Sequence, residues 1–113
     1  MSQQKISLLT LGVVAGGALA AGRAVTLAGA YSAAKADAFG ITTTSASGSG
    51  ERVPTDVIGT TIAVMKANCS KGASLEVSSD GGKLQAVTDG VVVAVALEAN
   101  ADGDGGQIEV LLV

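Results

Sequence analysis

The chain has 113 residues, 48% of them hydrophobic but only 2% aromatic, with 16 Gly, one Cys, no His and a net charge of −3. One domain with a core of small aliphatic side chains follows, and part of its stability is expected from association with itself or with a larger partner. The composition excludes His-dependent acid–base, nucleophilic and metal chemistry, and the scattered basic residues offer nucleic acid neither a charged stripe nor a stacking platform.

Residues 1–15 read as an extended arm. "SQQKISLLTL" mixes polar and β-prone residues, which suits it to add as a strand to an open sheet edge on a partner or a neighbouring copy. Lys5, Ile6, Leu8, Leu9 and Leu11 are the candidate contact residues of that arm. The run "ISLLTLGVVAGGALAAG" is short of ~20 residues and broken by Gly12, Gly16, Gly17 and Gly22, so it makes a poor membrane span. A competing reading takes residues 1–20 as a secretory signal, with Lys5 before an apolar run and small residues at Ala18 and Ala20, and makes the chain an exported cell-surface or periplasmic β-domain. Two features oppose it. The leading segment is barely charged, and the run passes without a polar break into an internal repeat.

That repeat sets "AAGRAVTLAGAYSAAKADAFGIT" (residues 20–42) against "SKGASLEVSSDGGKLQAVTDGVVVAVA" (residues 70–96). Gly22 aligns with Gly72, Val25 and Leu27 with Leu75 and Val77, and Tyr31 falls near Leu84. Each copy is followed by a Gly-rich loop and a β-prone run, at residues 45–59 and 98–113. The layout predicts two duplicated β-modules packed on each other within one domain, residues 16–113, with halves near 16–60 and 61–113. "RAVTL" and "ASLEV" alternate apolar and polar at period two. Residues 57–65 and 90–97 are dense in β-branched side chains and read as buried strands. Asp80-Gly81 is the dipeptide of a tight hairpin. Residues 30–39 have the propensity for one short helix, although their counterpart in the second copy suggests strand and turn.

The site candidates are few. Asn100, Asp102, Asp104 and Gly105 have the opening spacing of a calcium loop, but the twelfth position is Leu111 and the flanks read as strands, so "NADGDG" is expected to be the loop of a hairpin. Ser78 to Asp80 brings hydroxyls beside a carboxylate with no base to activate them, and reads as a turn. Cys69 is expected to be a reduced, partly buried small hydrophobe, and Lys71 and Lys83 solvated surface charges. No glycine cluster has the context of a phosphate loop. Catalytic residues, metal ligands and cofactors are therefore not expected.

The paired pattern "AAGRAVTLAG…DAFGIT" and "KGASLEV…GGKLQAVTDGVVVAVALEANADGDGGQIEVLLV" resembles the capsid cement, or head decoration, proteins of tailed bacteriophages. Those proteins share a G-R-x-V strand, a "GV-A" strand and an Ala/Glu/Gly/Asp loop before a strand in "V-L-L". The loop "SASGSGERVP" departs from the family by being longer and richer in Gly and Ser. The resemblance implies a mainly β fold, a small β-barrel or β-tulip-like domain with little helix. It also implies a structural, non-enzymatic protein on the outer surface of the virion capsid. Its partners would be the major capsid protein and itself, as a homotrimer rather than a dimer, with no nucleic acid and no membrane. Its work would be to stabilise the head by bridging capsid subunits.

Overall fold

The computed structural model describes residues 7–113. These form eight strands and, among the described residues, no helix: β1 (Ser7–Val14), β2 (Ala24–Val25), β3 (Gly40–Thr42), β4 (Arg52–Val64), β5 (Ser74–Val77), β6 (Leu84–Ala86), β7 (Ala94–Ala96) and β8 (Gln107–Leu112). All pairings between them are antiparallel. They make one sheet in the order β2-β3-β4-β8-β7-β5-β6, with β1 added on β4. The Ala24 N–H donates to the Gly82 carbonyl at 2.8 Å, which brings the β2 edge back to the turn before β6 and nearly closes the sheet into a barrel.

β4 is the spine. Its thirteen residues alternate: Val53, Thr55, Thr61 and Ala63 are buried, while Arg52, Pro54 and Ile58 face out. A period of two is what a strand with one covered face requires. Asp56 breaks the outward row by being fully buried, with the Thr10 hydroxyl donating to its Oδ1 at 2.8 Å. The first half of β4 pairs with β1 and β3, and the second half with β8. One strand thus serves both copies of the repeat.

The backbone hydrogen bonds establish the duplication. Gly22 N–H donates to Thr42 O, and Gly72 N–H to Ala96 O, each at 2.8 Å. Leu19 and Ala46 exchange a reciprocal pair of bonds, as do Cys69 and Asn100. Ala15 N–H donates to Glu51 O, and Met65 N–H to Gly106 O, both at 2.7 Å. The strand registers repeat in the same way: Ala24 opposite Ile41 matches Ser74 opposite Val95, and Val14 opposite Arg52 matches Val64 opposite Gln107. By these bonds β1 corresponds to the second half of β4. Tyr31, bridged to Val25, corresponds to Ala86 opposite Leu75, two residues beyond the sequence alignment at Leu84.

Three local expectations change. Residues 30–39 form no helix, because Tyr31 bridges back to Val25 and its hydroxyl accepts the Ala20 N–H at 2.8 Å, and Lys35 takes a positive φ of 62°. These tertiary bonds outweigh a propensity worth a few tenths of a kcal/mol per residue. Of residues 90–97, only Ala94–Ala96 is a strand; Val91 and Val92 are exposed, and the chain there crosses Lys35, whose carbonyl accepts the Val91 N–H. The β5–β6 turn is centred one residue later than Asp80-Gly81. The Lys83 N–H returns to Asp80 O, and Gly81 and Gly82 both have positive φ (56° and 73°), the requirement of a twisted two-residue turn.

Two apolar clusters fill the interior. The larger joins both copies, with Ala24 and Ile41 beside Met65, Leu75, Val77, Leu84, Ile108 and Val110. The smaller is Ala15, Leu19, Val25, Ala46 and Val53, covered by Tyr31. None of the described helices could cross a membrane, since there are none. That is silent on strands.

Candidate functional site

The expected arm is described only from Ser7, and there it is β1, paired with β4 along its whole length. Lys5 and Ile6 lie outside the described residues. Leu8, Leu9 and Leu11 stand on β1 with 73%, 39% and 42% of their surface exposed. The β1–β4 register shifts on both sides of Leu9, so that Leu9 lies opposite Ile58, itself half exposed. Two residues further along β4, Thr60 lies opposite Leu111, which is also exposed. Strand alternation places Ile58 and Thr60 on one face, so Leu9, Ile58 and Leu111 make an outward apolar row across β1, β4 and β8. Sequence reading found the β1 leucines by their β-prone pattern. It missed Ile58 and Leu111, because nothing local says which face of a β-rich run will lie outside.

At the other end of the row, the Arg52 side chain lies across β1. A Cβ at Gly12 would come within 2.8 Å of Arg52 Cγ and Cδ, so Gly12 makes room for it. Beside β4 a cavity of about 310 Å³ opens between Gly22, Thr42 and Thr43 of the first copy and Thr61, Ile62 and Val64 of the second.

The polar groups of the second copy act as scaffolding. Glu76 is fully buried, and its carboxylate accepts bonds from Gln85 Nε2 (2.6 Å), Thr88 N–H (3.2 Å), Thr88 Oγ1 (3.3 Å) and Gly90 N–H (2.9 Å). These donors, Gln85 foremost, hold its pKa below the ordinary carboxylate value. Lys66 and Lys83 meet Asp80 and Asp104 in a four-charge cluster with contacts of 2.7 to 3.3 Å. The lysines lower both carboxylate pKa values, and the carboxylates raise those of the lysines. Lys83 was expected to be a solvated charge; its side chain is only 15% exposed and anchors this cluster.

"NADGDG" is a hairpin loop between the antiparallel strands β7 and β8. Asn100 points inward, 3% exposed, donating to Ala67 O and Gly103 O and accepting the Asp102 N–H. Asp104 turns to the lysines, so these oxygens do not converge on one point. Among the described residues no group of His, Cys, Asp and Glu side chains is arranged to hold a metal. Ser78 is a turn residue, its hydroxyl accepting the Asp80 N–H, and Cys69 is half-buried against the larger cluster. The arrangement offers an apolar outer face on a braced barrel rather than a reactive cleft.

No protein-family model matches the chain, and no curated protein matches it. Among solved structures, the fold is similar to the crystal structure of the head fiber gp8.5 N base of bacteriophage phi29, with a TM-score of 0.74, 13% sequence identity and 93% of each chain covered. At that identity the likeness is one of fold. The resemblance to phage head proteins read from the strand pattern therefore meets a phage head protein built on the same all-strand, nearly closed barrel over almost the whole of both chains.

Proposed function

We propose that this chain is a structural decoration protein of a phage head, bound to the outer surface of the capsid and bridging major capsid protein subunits. The observation that carries the reading is the fold shared with a phage head protein over 93% of each chain. The apolar row of Leu9, Ile58 and Leu111, together with the exposed β1 side chains Leu8 and Leu11, is the capsid-facing surface. Each bound copy adds its own interface to the cost of separating the subunits it spans, and many copies on a closed shell multiply the effect. An interface of ~1,600 Å² in total is enough for specific binding. The protein works without catalysis, nucleic acid or membrane, and as a homo-oligomer, in the resemblance's terms a trimer.

The exported-domain reading has a structural cost. Residues 7–20 supply β1 and the buried side chains Val13, Ala15 and Leu19, so cleavage after Ala20 would remove a sheet strand and part of the smaller core. The test is co-sedimentation of the purified full-length protein with expanded, undecorated heads, reading intact mass on the bound fraction. Saturable binding of the full-length chain is expected, with Leu8→Ser binding more weakly although folded. Absence of binding, with a mature chain beginning near Ala21, would overturn the proposal in favour of export.

A further inference from the structure

Gly12 lies inside β1 with no backbone reason to be glycine. Its φ is not positive, and the strand runs past it to Val14. By the repeat its counterpart on β4 is Ile62, since Val14 opposite Arg52 matches Val64 opposite Gln107. The module thus accepts a large β-branched residue at this place, and a strand interior loses packing and chain entropy by holding glycine there. What the glycine admits is Arg52. A Cβ at residue 12 would lie 2.8 Å from both Cγ and Cδ of Arg52, and 3.2 Å from its Nη1. The arginine stem therefore lies flat on the β1 backbone.

That seat holds a cation which the fold itself leaves unanswered. Among the described residues, Lys35, Lys66 and Lys83 are each ion-paired, and Arg23 donates to Gly81 O and stands 6.0 Å over the Tyr31 ring. Arg52 has no carboxylate partner among them, and its Nη1 reaches Gly12 O only at 3.5 Å, the limit of a hydrogen bond. The second copy has Gln107 in its place, so the module does not need the charge. Arg52 is exposed and points outward with Pro54 and Ile58, beside the half-exposed Val14. This is the face that carries Leu9, Ile58 and Leu111. A guanidinium whose stem is already laid down gives up little freedom on binding, and its planar fork matches a carboxylate.

We propose that Arg52, seated on Gly12, is the charged anchor of the capsid-facing surface, and that the partner presents an Asp or Glu carboxylate to it at the end of an apolar contact. The apolar row continues from the guanidinium along β4, so the occupant is a protein surface with apolar side chains beside its charge. A phosphate-rich partner needs several cations, whereas Arg52 is the only one on β1 and β4. The chain's net charge of −3 works against an acidic surface, so one fixed cation decides the register in which such a surface docks. This anchor rests on the proposed decoration role and adds to it the chemistry of the partner.

Co-sedimentation of the full-length protein with expanded, undecorated heads tests it, using two variants that install the second copy's own residues. Arg52→Gln is expected to bind about tenfold more weakly than wild type and with less dependence on salt, at an unchanged far-UV circular dichroism spectrum. Gly12→Ile lifts the stem from its seat but keeps the charge, and is expected to bind more weakly as well. Lys71→Gln removes the same charge from an exposed loop position and is expected to bind as wild type. Heads whose surface carboxylates have been amidated with a carbodiimide and ethanolamine should bind the wild type as weakly as untreated heads bind Arg52→Gln. They should bind Arg52→Gln no more weakly still, since the two changes remove one contact. Arg52→Gln or Gly12→Ile at wild-type strength, or Lys71→Gln weakened as much as Arg52→Gln, would overturn the anchor and leave the decoration role standing. Full wild-type binding to amidated heads would do the same. A wild-type chain that binds no heads at all would sink both.

Discussion

The two copies of the repeat share their main-chain hydrogen bonds and almost none of their interior chemistry. In the first, Ala15, Leu19, Val25, Ala46 and Val53 pack as a small cluster under Tyr31. Their counterparts in the second are Met65, Cys69, Leu75, Asn100 and Ile108, larger on average and mostly merged into the main core. The loops before the long strands differ as well. In the first copy the Glu51 carboxylate ties the loop from outside, accepting the Ser47 and Gly48 N–H groups and the Ser47 hydroxyl. In the second, Asn100 ties it from inside, and Gly106 stands where Glu51 would. A Cβ at Gly106 would lie 2.0 Å from Asn100 Oδ1, so the inward amide and a side chain at 106 exclude each other. The backbone pattern defines the module, and whichever polar side chain reaches the loop's orphan groups serves to cap it.

If the second copy is the heavier half of the core, truncations should be unequal. Leu75→Ala, at a fully buried side chain, is expected to cost about 2–5 kcal/mol in urea unfolding. Val25→Ala at the equivalent place removes two carbons and is expected to cost about 2 kcal/mol. Equal losses would show that the clusters share load evenly, and separate transitions for the two variants would show that the copies unfold apart. A narrower break is Asn100→Ala, which leaves the Ala67 and Gly103 carbonyls without their donor and is expected to cost about 1–3 kcal/mol. Ala is the natural residue at the matching position 46, so a neutral result would mean the two loops are interchangeable. Gly106→Ala should be costly in the wild type and much less so with Asn100→Ala, a coupling read from a double-mutant cycle.

What the sequence shows and what it hides divide along the same line. The β4 spine, the closing hairpin and the duplication are legible because period-two alternation, β-branched runs and Gly-rich loops are local signals. The Gly22 and Gly72 match is legible because both positions need a positive φ. A three-residue strand such as β3 is not, since it exists only through its neighbours β2 and β4. Tyr31 has helix-compatible surroundings in sequence, and only the fold shows it lying over Val25. The burial of Glu76 and the capture of Lys83 join residues from separate turns, and no spacing rule announces them. The candidate surface was half visible: the β1 leucines stand in one run, but Ile58 and Leu111 join them only through register.

Acid tests the polar half of the comparison most finely. Glu76 has its folded-state pKa held below its ordinary 4.5, chiefly by Gln85 and then by the N–H groups of Thr88 and Gly90. A depressed carboxylate adds stability that is present above its unfolded pKa and is lost as pH falls through the folded one. Asp80 and Asp104 beside their lysines, Asp89 beside Lys35, and Glu51 in its loop shift the same way. The raised lysines matter only as pH climbs past 10.5, so stability should be nearly flat between pH 6 and 9 and fall below about pH 4.5. Glu76→Gln should be less stable at pH 7 but flatter in acid, so that its curve of urea midpoint against pH approaches the wild-type curve toward pH 3. Glu51→Gln should converge likewise from a smaller gap, because its loop lies on the surface of the first copy. Parallel curves for Glu76→Gln would mean that its bonds hold the loop by shape alone, and that the second copy's buried carboxylate carries no more of the pH dependence than the first copy's exposed one.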